Sequence, residues 1–155
     1  MDLADILPEE SVIFCTDVST KREALEILAD RAAARTAHSA DAIFEALDGR
    51  EALGSTGLGN GIAIPHGKLP GLDGVTAVFV RLAKPIEFDA VDDQPVDILF
   101  ALLAPLGSGA DHLRALALVA RLLRTESVVD ELRSTKDPAR LHQVLIQPLT
   151  THKAA

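Results

Sequence analysis

The sequence has no tryptophan and no tyrosine, and aromatic side chains make up only 3% of its 155 residues. A core with so few large rings has to be built from aliphatic side chains, and a hydrophobic fraction of 48% is sufficient for that. A chain of this length is the size of one domain and buries roughly 70% of its unfolded surface. We therefore predict a single domain over residues 1–155, with a frayed tail at about 150–155.

Cysteine and basic charge are also scarce. Cys15 is the only cysteine, which excludes an intramolecular disulfide and speaks against a cysteine-based zinc site. The formal net charge of −8 argues against binding to nucleic acid or to an anionic membrane. The N-terminus is acidic and lacks the pattern of a secretory signal, and the longest apolar run, Val96–Leu106, is shorter than the ~20 residues of a membrane-spanning helix. We predict a cytoplasmic protein without membrane insertion, whose partners are proteins or small molecules.

The hydrophobic periodicity predicts helices at both ends of the chain and strands between them. The predicted strands are Val12–Cys15, Ile62–Ile64, Val75–Leu82 and Val96–Leu103. The predicted helices are Thr20–Arg35, Ala40–Ala52, Asp111–Leu123, Ser127–Leu132 and Asp137–Ile146, with Thr20, Ser39 and Asp137 near their N-termini as caps. In the helix over 111–123, the predicted buried stripe is Leu113, Leu116, Ala117, Ala120 and Leu123. This order predicts an α/β fold, a single-domain sandwich with a mixed central sheet flanked by helices.

Half of the ten glycines fall within fourteen residues, at positions 54, 57, 59, 61 and 67. Glycine permits positive φ and close backbone approach, so such a segment can turn its amide N–H groups toward an anion, although an ordinary turn-rich connection is the alternative. Gly57–Gly61 lacks the GxGxxG spacing and follows a helix instead of a strand. Gly61–Lys68 is one residue longer than a Walker A loop, and Leu69 replaces the Ser or Thr that binds Mg²⁺. Neither nucleotide motif is present.

His66 follows this segment, between Pro65 and Gly67. Proline favours extended structure in the residue before it, which predicts a strand end at Ile64–Pro65 and places His66 at a rim that another protein can reach. An unperturbed imidazole is mostly neutral at pH 7, and its free ring nitrogen is then a nucleophile that needs no activating base. These properties suit a phosphoryl acceptor. A loop histidine without a chemical role is the alternative on the residues alone.

The fifteen residues Gly54-Ser-Thr-Gly-Leu-Gly-Asn-Gly-Ile-Ala-Ile-Pro-His-Gly-Lys68 resemble the active-site sequence of enzyme IIA of the bacterial phosphoenolpyruvate-dependent phosphotransferase system, fructose/mannitol type, and in particular its nitrogen-regulatory branch. The segments Ile86–Asp97 and Asp111–Arg121 are similar to that family as well. The resemblance implies a mannitol-IIA-like α/β domain that needs no cofactor. It also implies that His66 is phosphorylated by a small histidine phosphocarrier protein (HPr-like).

The same resemblance assigns two further catalytic residues. A second histidine of the family's site matches His112, and an arginine before the glycine-rich segment matches Arg50. Arginine presents a planar, charged fork to phosphate oxygens, and the first turn of a helix, where His112 is predicted to lie, favours anions. Purely structural roles are the alternatives for both. Thr56, Gly67 and Lys68 are candidate phosphate-binding residues, although turn chemistry accounts equally well for Thr56 and solvation for Lys68.

Two functions share this chemistry. In the first, phosphorylation changes which target the protein binds, for example a sensor kinase or a potassium transporter; in the second, the protein relays phosphate to a fructose/mannitol-type permease. The sequence contains no attached membrane or second carrier domain, and this absence together with Pro65-His-Gly-Lys68 favours regulation. A metal-dependent or hydrolytic enzyme using His66 and His112 would need carboxylate or cysteine ligands at suitable spacing, which the sequence lacks.

Overall fold

The computed structural model describes residues 2–147, and its centre is a six-stranded sheet with the strand order β1-β5-β6-β3-β2, in which β4 also pairs with β6. The strands are β1 Val12–Cys15, β2 Gly57–Gly59, β3 Ile62–Ala63, β4 His66–Leu69, β5 Thr76–Ile86 and β6 Val96–Pro105. β5 and β6 are antiparallel, whereas β3 and β4 run parallel to β6 and β1 runs parallel to β5. The predicted mixed sheet is confirmed. The predicted fraying at 150–155 concerns residues outside the described part of the chain.

Helices cover both faces of this sheet. They are α1 Leu3–Ile6, α2 Lys21–Ala33, α3 Ala40–Glu51, α4 Gly109–Leu123, α5 Glu126–Arg133 and α6 Pro138–Ile146, with a 3-10 turn at Glu9–Ser11. α2 and α3 pack on one face, and α1, α4, α5 and α6 pack on the other. β6 is buried on both faces, as predicted, because Phe100 and Leu102 belong to the second of these layers while Leu99 and Leu103 belong to the first. Within residues 2–147, no helix is both long and apolar enough to cross a membrane.

Three helices begin at the predicted caps. The Thr20 hydroxyl accepts a hydrogen bond from Glu23 N (3.1 Å), and Ser39 Oγ accepts one from Ala42 N (3.1 Å). The Asp137 carboxylate accepts from Ala139 N (3.1 Å), with Pro138 at the first helical position. Each bond satisfies one backbone N–H that the helix itself leaves unpaired. The starts of α2, α3 and α6 are therefore fixed by local signals in the sequence.

The buried face of α4 differs from the prediction. Leu113 is 67% exposed, and the side chains that α4 buries are His112, Ala115, Val119, Leu122 and Leu123. The predicted stripe is partly confirmed, since Leu123 is buried and Leu116 and Ala120 pack against the core, but Leu113 and Ala117 are exposed. A hydrophobicity pattern treats a histidine as a surface residue and therefore shifts the stripe toward the neighbouring face of the helix. The true orientation turns His112 inward and leaves Leu113 outside.

Candidate active site

The glycine-rich segment is folded into two short strands and a tight turn. Asn60 and Gly61 both have positive φ, 58° and 81°, at the turn between β2 and β3. A Cβ on Gly61 would lie 2.5 Å from Arg133 Nη2, which donates a hydrogen bond to Asn60 O (2.7 Å). A Cβ on Gly57 would lie 2.8 Å from the Cβ of Ala90. Both glycines are therefore explained by a turn and by close packing.

His66 is the first residue of β4, and its side chain is half-buried at the edge of a cleft of about 390 Å³. Its Nδ1 lies 2.8 Å from Ile64 O. A carbonyl oxygen only accepts hydrogen bonds, so this contact requires the proton on Nδ1 and leaves the lone pair of the neutral ring on Nε2. The main chain on either side is anchored, because Pro65 O accepts from Leu102 N (2.9 Å) and β4 pairs with β6. The ring is thus fixed in orientation and partly exposed.

His112 lies beside His66 in the first turn of α4. The centroids of the two rings are 5.5 Å apart, with 56° between the ring planes. His112 is only 6% exposed, and among residues 2–147 its buried Nδ1 has no hydrogen-bond partner. Its main-chain N–H already donates to Ser108 O (2.9 Å), so any hydrogen bond from His112 to a ligand has to come from the ring. Burial, and then the nearby His66 and Lys68, lower the pKa of His112 below its ordinary value.

The lowered pKa of His112 predicts an acid-sensitive contribution to stability. Below about pH 6.5 the imidazole of the unfolded chain takes up a proton more readily than the folded one, so the free energy of unfolding falls as the pH falls through this window. We expect His112→Gln to lose less stability than the wild type between pH 7 and pH 5, measured by urea denaturation. Equal losses in both proteins would contradict the assignment.

Arg50 lies in the last turn of α3 and lines the same cleft as His66. One of its N–H groups, on Nη1, donates to Gly54 O (2.8 Å), which holds the guanidinium at the start of the glycine-rich segment. Among residues 2–147 its other N–H groups have no hydrogen-bond partner, so they can bind an anion in the cleft. The three residues that the sequence selected as catalytic candidates are therefore close together. Within the described residues, no three or more His, Cys, Asp or Glu side chains are grouped as metal ligands.

The predicted phosphate-binding residues have different surroundings. Thr56 lines the cleft, but its N–H and its hydroxyl both donate to the Glu51 carboxylate. A Cβ on Gly67 would lie 3.3 Å from Ala46, so β4 packs tightly against α3 at this glycine. Lys68 is exposed. Phosphate binding by Thr56, Gly67 and Lys68 stays a prediction.

Glu51 is the residue of this region that the sequence did not single out. It is 7% exposed, and its Oε1 lies 3.0 Å from Lys21 Nζ. Both residues are at helix ends, where charged side chains are common and usually solvated, so the sequence gives no sign that this carboxylate is buried. The only local signal is that Glu51 directly follows Arg50 and precedes the glycine-rich segment.

Residues 5–147 match the family described as phosphoenolpyruvate-dependent sugar phosphotransferase system, EIIA 2. A nitrogen regulatory protein of Bradyrhizobium diazoefficiens is 46% identical over 151 residues, which cover 97% of this chain and 99% of that protein. A PTS system fructose-specific EIIA component of Haloferax volcanii is 37% identical over 94% of this chain and 96% of its own. The crystal structure of nitrogen regulatory protein IIA-Ntr from Neisseria meningitidis superposes with a TM-score of 0.87 at 33% identity, covering 92% of this chain and 98% of that one.

The chain therefore belongs to the type-2 EIIA family of the phosphotransferase system. This confirms the family that the sequence around His66 resembles, and the names of two of these relatives agree with the nitrogen-regulatory branch. The predicted α/β sandwich with a mixed sheet is confirmed as well.

Proposed function

We propose that this protein is a phosphoryl carrier that is phosphorylated on His66 Nε2 and regulates its targets through its phosphorylation state. The observation that carries the proposal is the hydrogen bond from His66 Nδ1 to Ile64 O at 2.8 Å in a half-buried ring. This bond presents Nε2 as the nucleophile, and the partial exposure of the ring gives a donor protein access to it.

The proposed reaction is a transfer between two histidines. The Nε2 lone pair of His66 attacks the phosphorus of a phosphohistidine on the carrier protein, a new P–N bond forms, and the old P–N bond breaks with its electron pair returning to the carrier's imidazole. His66 Nδ1 keeps its proton and its bond to Ile64 O throughout. Catalysis of such a transfer consists mainly of positioning and of stabilising the charge on the phosphoryl oxygens.

Arg50 and His112 supply that stabilisation in our proposal. The guanidinium of Arg50 lines the cleft at His66, and the unpartnered Nδ1 of His112 belongs to a ring 5.5 Å from that of His66. A neutral imidazole has one N–H, and in our proposal His112 donates it to a phosphoryl oxygen once the group is bound to His66.

The surface around His66 is suited to a protein partner. Leu58 and Val91 line the cleft with His66 and are 41% and 77% exposed. Leu53, three residues beyond Arg50, is 84% exposed, and Leu113, next to His112, is 67% exposed. Exposed apolar side chains beside a polar centre, as Leu58 and Val91 are beside His66, are typical of protein interaction sites. We propose that a small histidine phosphocarrier in the cytoplasm docks here.

The regulatory role is proposed from the branch of the family. Relatives named nitrogen regulatory protein match almost the full length of the chain, which favours control of proteins such as a sensor kinase or a potassium transporter. The similarity to the fructose-specific EIIA component of Haloferax volcanii supports a second candidate function, the relay of phosphate to a sugar permease.

The proposal is tested by incubating the wild-type protein with phosphoenolpyruvate, the first enzyme of the cascade and the phosphocarrier. We expect one acid-labile phosphate by mass spectrometry, none when the phosphocarrier is omitted, and a ³¹P–¹⁵N coupling to His66 Nε2 by NMR. A phosphate that is stable to acid, or that is coupled to Nδ1, would contradict the proposal. The labelled protein is then mixed with the sugar-specific IIB component of a fructose/mannitol-type permease, and fast transfer to that acceptor would favour the sugar relay.

A further inference from the structure

An ion pair next to the glycine-rich segment joins a buried carboxylate to a partly exposed ammonium group. Glu51, 7% exposed, pairs with Lys21, whose Nζ lies 3.0 Å from Glu51 Oε1 and 4.6 Å from the centre of the Phe88 ring. A carboxylate removed from water is costly unless a countercharge and hydrogen bonds compensate for its lost hydration. Its presence next to a cleft therefore calls for a reason beyond stability.

The Glu51 carboxylate holds Thr56 by two hydrogen bonds. Thr56 N donates to Oε1 (3.1 Å), and the Thr56 hydroxyl donates to Oε2. Thr56 is itself 5% exposed, so these bonds are shielded from competing water. Lys21, which neutralises the carboxylate, begins α2, and Glu51 ends α3. Two helices thus fix one residue of the glycine-rich segment.

From Thr56 the hydrogen bonds continue to His66. Thr56 O accepts from Ile64 N (3.1 Å), and Ile64 O accepts from His66 Nδ1 (2.8 Å). The second bond is the one that selects the tautomer of His66. Because Ile64 N is bonded to Thr56 O, a shift of Thr56 is expected to move the main chain of Ile64. Ile64 O is in turn the atom of this hydrogen-bond chain that contacts the His66 ring.

We propose that Glu51, held by Lys21, is a positioning residue for His66: through Thr56 and Ile64 it fixes the Nδ1–H tautomer and thereby selects Nε2 as the phosphoryl acceptor. The inference rests on the proposed function and deepens it. Glu51 touches neither the phosphoryl group nor the His66 ring and acts only through the main chain of Ile64.

The test uses four variants of the full chain. Glu51→Gln keeps the size of the side chain but replaces Oε2 by an NH₂ group, which cannot accept the Thr56 hydroxyl proton. It also removes the buried carboxylate that faces Lys21, whose Nζ keeps only the exposed Asp89 carboxylate, at 3.9 Å. Thr56→Val removes the hydroxyl alone and retains the backbone bond, so it keeps the inference testable if Glu51→Gln does not fold. Thr56→Ser restores the hydroxyl and is the matched control. Val144→Ala, in the fully buried part of α6, lowers stability without touching these residues.

The first measurement is the tautomer of His66 in the unphosphorylated protein, from two-bond ¹⁵N–¹H NMR spectra. We expect the wild type, Thr56→Ser and Val144→Ala to show Nδ1–H, and Glu51→Gln and Thr56→Val to show a mixture with Nε2–H. The rate of phosphoryl uptake should fall roughly ten- to hundredfold in the last two, because a small misplacement of a reacting group is sufficient for such a loss. A direct contact of Thr56 with phosphate would slow uptake but leave the tautomer of the unphosphorylated ring unchanged.

Two outcomes separate this inference from the proposed function. If the wild type takes up phosphate on His66 and all four variants keep the Nδ1–H tautomer and the wild-type rate, the positioning role is wrong and the carrier function stands. If the wild type takes up no phosphate on His66, the function itself is wrong, whatever the tautomer measurements show.

Discussion

His66→Ala is expected to receive no phosphoryl group from the phosphocarrier. The variant lacks the imidazole that we propose as the acceptor, and the neighbouring His112, whose ring centroid lies 5.5 Å from that of His66, is only 6% exposed and therefore a poor substitute. Loss of one half-buried ring and of the bond to Ile64 O costs about 1 kcal/mol, so the fold should persist. The loss of label in mass spectrometry should be complete, which is the largest effect that any single substitution in this protein is expected to have.

The matched control for this experiment is His38→Ala. His38 lies between α2 and α3, away from the cleft, so its replacement should leave the label unchanged. Circular dichroism establishes that both variants are folded. Label on the His66→Ala protein at the wild-type level would show that another residue is the acceptor and would overturn the assignment of the site.

Arg50→Ala is expected to slow phosphoryl uptake on the order of a hundredfold. Removing one fixed donor that stabilises developing charge on a reacting group costs on the order of 10²–10³ in rate in well-studied enzymes. The guanidinium is oriented by Gly54 O, at 2.8 Å, so its remaining N–H groups are already in place before a phosphoryl group arrives. The effect should appear in the rate of single-turnover labelling, while the final amount of phosphate per protein approaches that of the wild type.

Arg50→Lys and Arg22→Ala serve as the controls for this prediction. Lysine restores the charge but not the planar fork, so Arg50→Lys should recover only part of the rate. Arg22 is another helix arginine that stacks on Phe44 at 4.8 Å from the ring centroid, outside the cleft, and its removal should leave the rate unchanged. A wild-type rate in Arg50→Ala would show that the guanidinium does not act on the phosphoryl group.

The predicted elements succeeded where the sequence carries a local physical signal. Ser39 and Asp137 cap helices as predicted because a short polar side chain before an apolar repeat can bond to a free backbone N–H at once. The strand over 96–103 was recognisable because a run that is apolar at successive positions is typical of a strand buried on both faces. β5 extends to Ile86, beyond the predicted end at Leu82, because Ile86 pairs with Val96 of β6 after a register shift, and such pairing leaves little trace in the sequence.

For the candidate site, the sequence predicted the family but not the contacts between its residues. A fifteen-residue motif around His66 identified the family, since the combination of glycines, proline and histidine is specific. The motif did not predict β2, which consists of three residues containing two glycines. It also did not reveal that the Thr56 hydroxyl is bonded to Glu51, because the two residues meet only when α3 and the glycine-rich segment have folded against each other.

The sequence by itself determined the family, the class of fold and the histidine that we expect to carry phosphate, because caps, hydrophobic periods and a dense motif are properties of neighbouring residues. The tertiary structure decided which face of α4 is buried, that His112 lies beside His66, and that a Lys21–Glu51 pair holds Thr56. These contacts join residues from separate helices and strands. They depend on the distance and orientation that packing imposes on them, and neither quantity is encoded in any one segment of the chain.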